Sequence, residues 1–299
     1  MLSHIKNLVN KSSLRYFLLL NFAMLCISTS GVFGSSLFLF PPLGIWFRCL
    51  IAALLLLGYC KFKGFDFNLE QGRSRQMVFL SGILMAGHWV FYFFALLHTS
   101  VAISMIAIFT YPMITTFLEP LFFKVKLEFR SILLSGLIMF GLYYLLPTFS
   151  IENADTLGFL FAIASAFTYS IRNLIMKKEI EKYNGSVLMF YQCVIAVVIL
   201  LPFFFYSQPS MGDVIHDLPF LLGLGLITTC LGHTIFLNTF SYFRISTASI
   251  LSSLQPVFGI TLAIIFLQEG LDMRTLVGGL IIMSTVLIES LASHRKKTK

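Results

Sequence analysis

Ten windows of this chain stay apolar long enough to cross a hydrocarbon core of about 30 Å at about 1.5 Å per helical residue. They cover residues 15–36, 41–60, 77–98, 101–123, 129–147, 157–177, 186–206, 218–241, 246–267 and 274–292. Inside lipid every backbone N–H and C=O needs a partner within the protein, so windows of this kind are helices. Charged residues make up 11% of the chain, less than half the roughly 25% of soluble domains, so no ordinary water-facing surface can be built. The short loops leave no room for a soluble domain. The expected fold is an all-α multi-pass membrane protein with ten transmembrane helices. Lys6, Lys11 and Arg15 precede the first window as they precede a signal peptide. That window is long for one, contains Asn21 and lacks a small-residue cleavage pattern, so it reads as a retained helix.

The net charge of +8 is a topology signal. All of the 21 Lys and Arg residues except Arg48, Arg172 and Arg274 fall at the ends or loops that ten crossings put on one side. The positive-inside rule makes that side cytoplasmic, with both termini on it, as in a bacterial inner-membrane protein. A nucleic-acid partner is not needed to explain the charge. The partner implied by composition is the lipid bilayer. Cys26, Cys49, Cys60, Cys193 and Cys230 form no C-x-x-C pair or metal-ligand spacing, so they read as packing residues.

One half of the chain repeats the other. FRCLIAALLLL (47–57) aligns with YQCVIAVVILL (191–201) at an offset of 144, and the Gly-His pair at 87–88 with the pair at 232–233 at 145. Ser104 then matches Ser249, Pro112 matches Pro256, and LEFRS (127–131) faces LDMRT (271–275). A register constant to within a residue or so over four of five window pairs marks an internal duplication, residues 1–150 and 151–299. Five crossings is an odd number, so the second repeat enters the membrane inverted. That is an architecture of secondary transporters, which bind solute near the midplane between repeats.

The chain at this point resembles the EamA-type transporters of the drug/metabolite transporter superfamily. The resemblance rests on the window pattern, the duplication and LQPVFGITLAIIFLQEGLDMRTLVGG (254–279), with Pro256, Glu269, Gly278 and Gly279. TYP (110–112) and Arg48 also look like family features. Val125 stands in the first repeat where Glu269 stands in the second, so any role of that acid is one-sided. The resemblance implies secondary transport of small metabolites, most often export, with cargo that differs widely among members.

The ionisable and polar residues at membrane depth are the candidate solute-binding set, because such groups are costly there unless they face a cavity or a partner. His88 and His233 sit near mid-depth as symmetry counterparts. They either line the central cavity, binding solute or relaying a proton, or are neutral rings bonded to a neighbouring helix. Arg48 either neutralises an anionic group of the solute or bonds helix-end carbonyls. Tyr92, Tyr111, Asn21, Tyr169, Asn173, Asn238 and Gln255 complete the candidate lining. Glu119 and Arg172, at matching depth, are a candidate gating ion pair, or each reaches the inner surface separately. Pro112 and Pro256 are candidate kinks, each removing a backbone bond in its window. Ala162, Ala166 and Ser170 form a small-residue stripe for close packing.

Enzyme signals are poor. No P-loop, H-E-x-x-H or G-x-S-x-G occurs, and GLGLIT (223–228) lacks the third glycine of a dinucleotide fingerprint. No cofactor or metal is expected. The reading is a secondary transporter that moves a small polar or amphipathic metabolite, amino-acid-like or nucleobase-containing, by alternating access. It runs on a proton, sodium or solute gradient, and a monomer suffices although a dimer is compatible. Uptake of a metabolite such as S-adenosylmethionine and flipping of a lipid-linked sugar are the alternatives.

Overall fold

The computed structural model describes residues 11–123, 127, 129–145, 152–239, 241, 252 and 254–297. Lys6, Lys124, Val125, Lys126, Arg244, Ser249, Ser253 and Lys299, all used in the sequence reading, lie outside them. The described residues form helices and no strands. These are α1 (Lys11–Ser35), α2 (Pro41–Phe62), α3 (Arg73–His98), α4 (Val101–Ile108), α5 (Tyr111–Phe122), α6 (Phe129–Leu145), α7 (Ala154–Glu179) and α8 (Gly185–Ser207). Then come α9 (Met211–Gly223), a π-helical stretch (Leu224–His233), α10 (Thr234–Thr239), α11 (Leu254–Leu267) and α12 (Met273–Lys297). Seven helical runs are long and apolar enough to cross a membrane, with α4–α5 and α9–α10 each taken as one run. Three shorter apolar helices, Ile132–Gly141, Leu254–Leu267 and Met273–Thr285, lie at other expected crossings.

Local sequence explains the helix starts. α2 opens on Pro41 and Pro42, where a missing N–H costs no helical bond. Ser100 caps α4 by accepting from the N–H of Ile103 at 3.2 Å. Asn153, Asn184 and Ser210 cap α7, α8 and α9 by accepting from Asp155, Ser186 and Asp213 at 2.9, 2.8 and 3.1 Å.

The fourth and eighth windows are not single regular α-helices. The fourth breaks after Ile108, whose carbonyl would have taken the N–H that Pro112 lacks, and α5 restarts with Pro112 in its first turn. Pro112 is therefore a helix-start proline. Pro256 lies near the first described residues of α11, beside Ser253, which lies outside the described residues. The eighth window carries the π-helical stretch, where Thr229 and Thr234 hydroxyls donate to carbonyls five residues back, Leu224 at 2.9 Å and Thr229 at 3.3 Å. Such stretches are rare and favour functional sites.

The outer surface is apolar. Leu54, Phe62, Leu97, Met139, Val198, Phe266 and Leu280 are among its exposed side chains, as lipid contact requires. The core draws on most of the helices, from Leu20 of α1 to Ile282 of α12. Packing partners recur between the two halves of the chain. α3 packs on α7 as the π-helical stretch packs on α1, and α4 and α5 pack on α7 as α11 packs on α1. α2 packs on α8, and α6 on α12. The stripe Ala162, Ala166 and Ser170 is fully buried, on the helix α7 that packs most closely with α3. All five cysteines are free, and four are buried.

Candidate functional site

The centre of the bundle encloses a cavity of about 20 Å³, lined by His88, Arg48, Trp89, Tyr92, Tyr111, Tyr169, His233, Gln255 and Pro256 together with Ser30 and aliphatic, Met and Phe neighbours. That volume holds about one water molecule. The lining comes from α1, α2, α3, α4, α5, α7, α11 and the π-helical stretch, so both halves of the chain build it. No carboxylate is among the lining residues described.

His88 on α3 is held from α7. Its Nδ1 lies 3.1 Å from the carbonyl and 2.7 Å from the hydroxyl of Ser165. The same hydroxyl donates to the His88 carbonyl at 2.8 Å, and the imidazole stacks on Tyr169 at 4.4 Å between centroids. A hydroxyl has one proton and spends it on that carbonyl, so the ring nitrogen is the donor to Ser165.

His233 is held from the other direction. The indole N–H of Trp89 donates to its Nε2 at 3.4 Å, and the two rings meet edge to face at 5.5 Å. Trp89 also lies under the guanidinium of Arg48, 4.4 Å from ring centroid to carbon. Arg48 is fully buried and uses Nε on the hydroxyl of Thr229 at 2.8 Å. Its Nη1 and Nη2 make no hydrogen bond among the described residues, and neither does Nδ1 of His233. Tyr111 reaches the hydroxyl of Ser252 at 2.9 Å.

Three candidate lining residues lie elsewhere. Asn21 is half-buried on α1 away from the cavity. Asn238 accepts from the N–H of Gly185 at 3.1 Å and ties α10 to the start of α8. Asn173 accepts from Nη1 of Arg172 at 2.9 Å.

The candidate gating pair of Glu119 and Arg172 is not in contact in this structure. Glu119 bonds Lys177 at 3.2 Å, with both side chains partly exposed. Arg172 is fully buried rather than extended toward the surface. Its Nε and Nη2 both bond Oε1 of Gln192, at 3.1 and 2.7 Å. Gln192 is the residue that stands opposite Arg48 in the duplication, so one buried arginine is satisfied by the counterpart of the other.

Ser165, Thr229, Met105 and Phe109 were missed in sequence. Ser165 had a legible signal, one turn before Tyr169 on the same helix. Thr229 had none, because its contact to Arg48 depends on the π-helical turn.

A second, larger depression of about 600 Å³ opens between the α1–α2 and α8–α9 loops, lined by Leu37, Phe38, Phe40, Phe93, Leu97 and Asp213 among others. Beside it the buried carboxylate of Asp217 accepts from the N–H groups of Phe38 and Leu39 at 3.0 and 2.9 Å. The His216 ring nitrogen lies 3.0 Å from the same carboxylate.

An apolar-surfaced helical bundle that buries a polar, aromatic centre is built to handle a solute inside the bilayer, as a multi-pass membrane transporter does. The chain belongs to the EamA-like transporter family, which matches it twice, over residues 14–146 and 156–291. An uncharacterized transporter of Archaeoglobus fulgidus is 25% identical over 197 residues, 66% of this chain and 70% of its own. The uncharacterized transporter YwfM of Bacillus subtilis is 25% identical over 223 residues, 74% of this chain and 75% of its own. One solved crystal structure matches with a TM-score of 0.70 over 94% of this chain and 98% of its own at 15% identity, a likeness of fold. Family and relatives point to transport rather than catalysis.

Proposed function

We propose that this chain is a secondary transporter of the bacterial inner membrane, with ten crossings arranged as two inverted five-helix repeats, residues 1–150 and 151–299, and both termini cytoplasmic. It moves a small polar or amphipathic metabolite, amino-acid-like or nucleobase-containing, by alternating access, with export the first choice of direction. The observation that carries the reading is the single cavity into which His88 and His233 project from the two matched halves. The recurring packing pairs support the inverted repeat, and the one-sided basic residues support the orientation. Tyr111 and Tyr169 line the same cavity as the histidines, and aromatic rings suit a planar cargo. At about 20 Å³ the cavity is too small for any metabolite, so binding requires the helices around it to part.

The test is a thermal-shift screen of purified protein against amino acids, nucleosides and nucleobases, with wild type beside a His88→Ala/His233→Ala double variant. The expected outcome is at least one ligand that stabilises wild type and leaves the folded double variant unshifted. A ligand that stabilises both equally would move the solute site away from the histidines. Stabilisation by lipid-linked sugars alone would favour a flippase.

A further inference from the structure

We infer that the central cavity binds an oxyanion group of its solute, carboxylate or phosphate, through Arg48 and His233. The inference deepens the proposed function and rests on its placement of the solute site. It comes from the direction of the unpaired hydrogen-bonding groups. The indole N–H of Trp89 can only donate, so Nε2 of His233 accepts and the ring proton of the neutral imidazole sits on Nδ1. That N–H has no acceptor among the described residues, and neither do Nη1 and Nη2 of Arg48. Arg48 and His233 line the same cavity. The Tyr92 hydroxyl, in the same cavity and likewise without a partner among the described residues, can donate or accept, whereas Arg48 and His233 offer donors only, and Arg48 carries a full charge.

Burying a guanidinium without an acceptor is costly, and proteins seldom retain the arrangement for packing alone. This chain shows how it treats an arginine that serves only the fold. Arg172, equally buried, has Nε, Nη1 and Nη2 all occupied by Gln192 and Asn173. Arg48 has one nitrogen occupied, by Thr229. Trp89 covers the guanidinium at 4.4 Å and leaves the Nη1–Nη2 edge free. That planar edge matches two oxygens of a carboxylate or phosphate in a bidentate pair.

Matched probes that differ in charge alone test this. Wild type in detergent is titrated with benzoate and benzamide, L-phenylalanine and L-phenylalaninamide, and phenyl phosphate and phenol, reading the shift in thermal midpoint. In at least one pair the acid is expected to bind about tenfold or more tightly than its neutral partner, as one charge-assisted bidentate contact implies. The pair that responds separates carboxylate from phosphate. Arg48→Gln should abolish the preference while leaving the unliganded midpoint near wild type, because it removes an uncompensated charge. Arg48→Lys should keep part of it. The inference is overturned if no acid shifts wild type, if neutral partners match their acids, or if Arg48→Gln keeps the preference. The wild-type comparison decides even if Arg48→Gln does not fold. If His88→Ala and His233→Ala bind every probe as wild type does, the placement of the solute site itself fails. If the histidine variants lose the neutral probes but acids have no advantage, only the oxyanion inference fails.

Discussion

Two buried arginines divide the polar interior into a part that holds the fold and a part that faces the cavity. Arg172 gives three bonds to Gln192 and Asn173, and removing it strands a buried amide oxygen. Arg172→Gln is expected to destabilise the protein by about 1–3 kcal/mol, the cost of an unsatisfied buried polar group. Its thermal midpoint should fall below that of Arg48→Gln. The reverse order would make Arg48 the structural residue. Glu119 belongs to a partly exposed pair with Lys177, so Glu119→Gln should cost no more than about 1 kcal/mol. Because Glu119 bonds Lys177 and Arg172 bonds Gln192 and Asn173 here, a double charge reversal at Glu119 and Arg172 is expected not to rescue the single reversals in a transport assay, and rescue would restore the gating pair. In sequence Arg48 read as a candidate lining residue, Glu119 and Arg172 as a candidate gate, and Lys177 as one of the one-sided basic residues. Depth along a helix could be counted, but the partner on the next helix could not.

The Gly-His pairs look alike in sequence and differ at the level of the helices that carry them. A Cβ at Gly232 would lie 2.8 Å from Cγ1 and 3.0 Å from the backbone nitrogen of Ile27, so α1 sits directly against it. At Gly87 nothing lies closer than 3.9 Å. Gly232→Ala should push α1 off the π-helical stretch and cost about 1–3 kcal/mol, as overpacking does. Gly87→Ala should be neutral or stabilising by up to about 1 kcal/mol, through helix propensity. Thermal midpoints of the two variants check this, and equal effects would contradict the packing described. At the loop end of the same bundle Asp217 holds two backbone N–H groups of the α1–α2 turn. Asp217→Ala leaves them without an acceptor, and hydrogen exchange at Phe38 and Leu39 should rise while exchange in the core of α3 stays unchanged. These helices are apolar on nearly every side, so no amphipathic stripe marks which face turns inward. The break after Ile108 was half legible, since Pro112 was visible, but the π-helical turn was not. It is accompanied by hydroxyls bonding carbonyls five residues back, which no hydrophobic period records.

At the scale of the whole molecule, apolar window length was enough to predict an all-helical membrane bundle, and the resemblance carried by the duplication and residues 254–279 pointed to its family. The central residues were partly legible for a related reason. A polar side chain is conspicuous in a span, and of the ten candidate lining residues seven line the cavity, His88, His233, Tyr92, Tyr111, Tyr169, Gln255 and Arg48. Asn21, Asn173 and Asn238 do not, because a polar group in a membrane helix can equally serve a neighbouring backbone or side chain. The cavity has room for about one water molecule, so the proposed alternating access predicts that the packed pairs around it, α3 on α7 and α1 on the π-helical stretch, separate on one face and then the other. Solute counterflow in proteoliposomes, run with the ligand that the thermal screen selects, tests this most directly. Wild type is predicted to exchange labelled for unlabelled solute, and the folded His88→Ala/His233→Ala variant to exchange none above empty vesicles. Exchange by the variant at the wild-type rate, or none by wild type, would contradict a solute path through the cavity that the two histidines share.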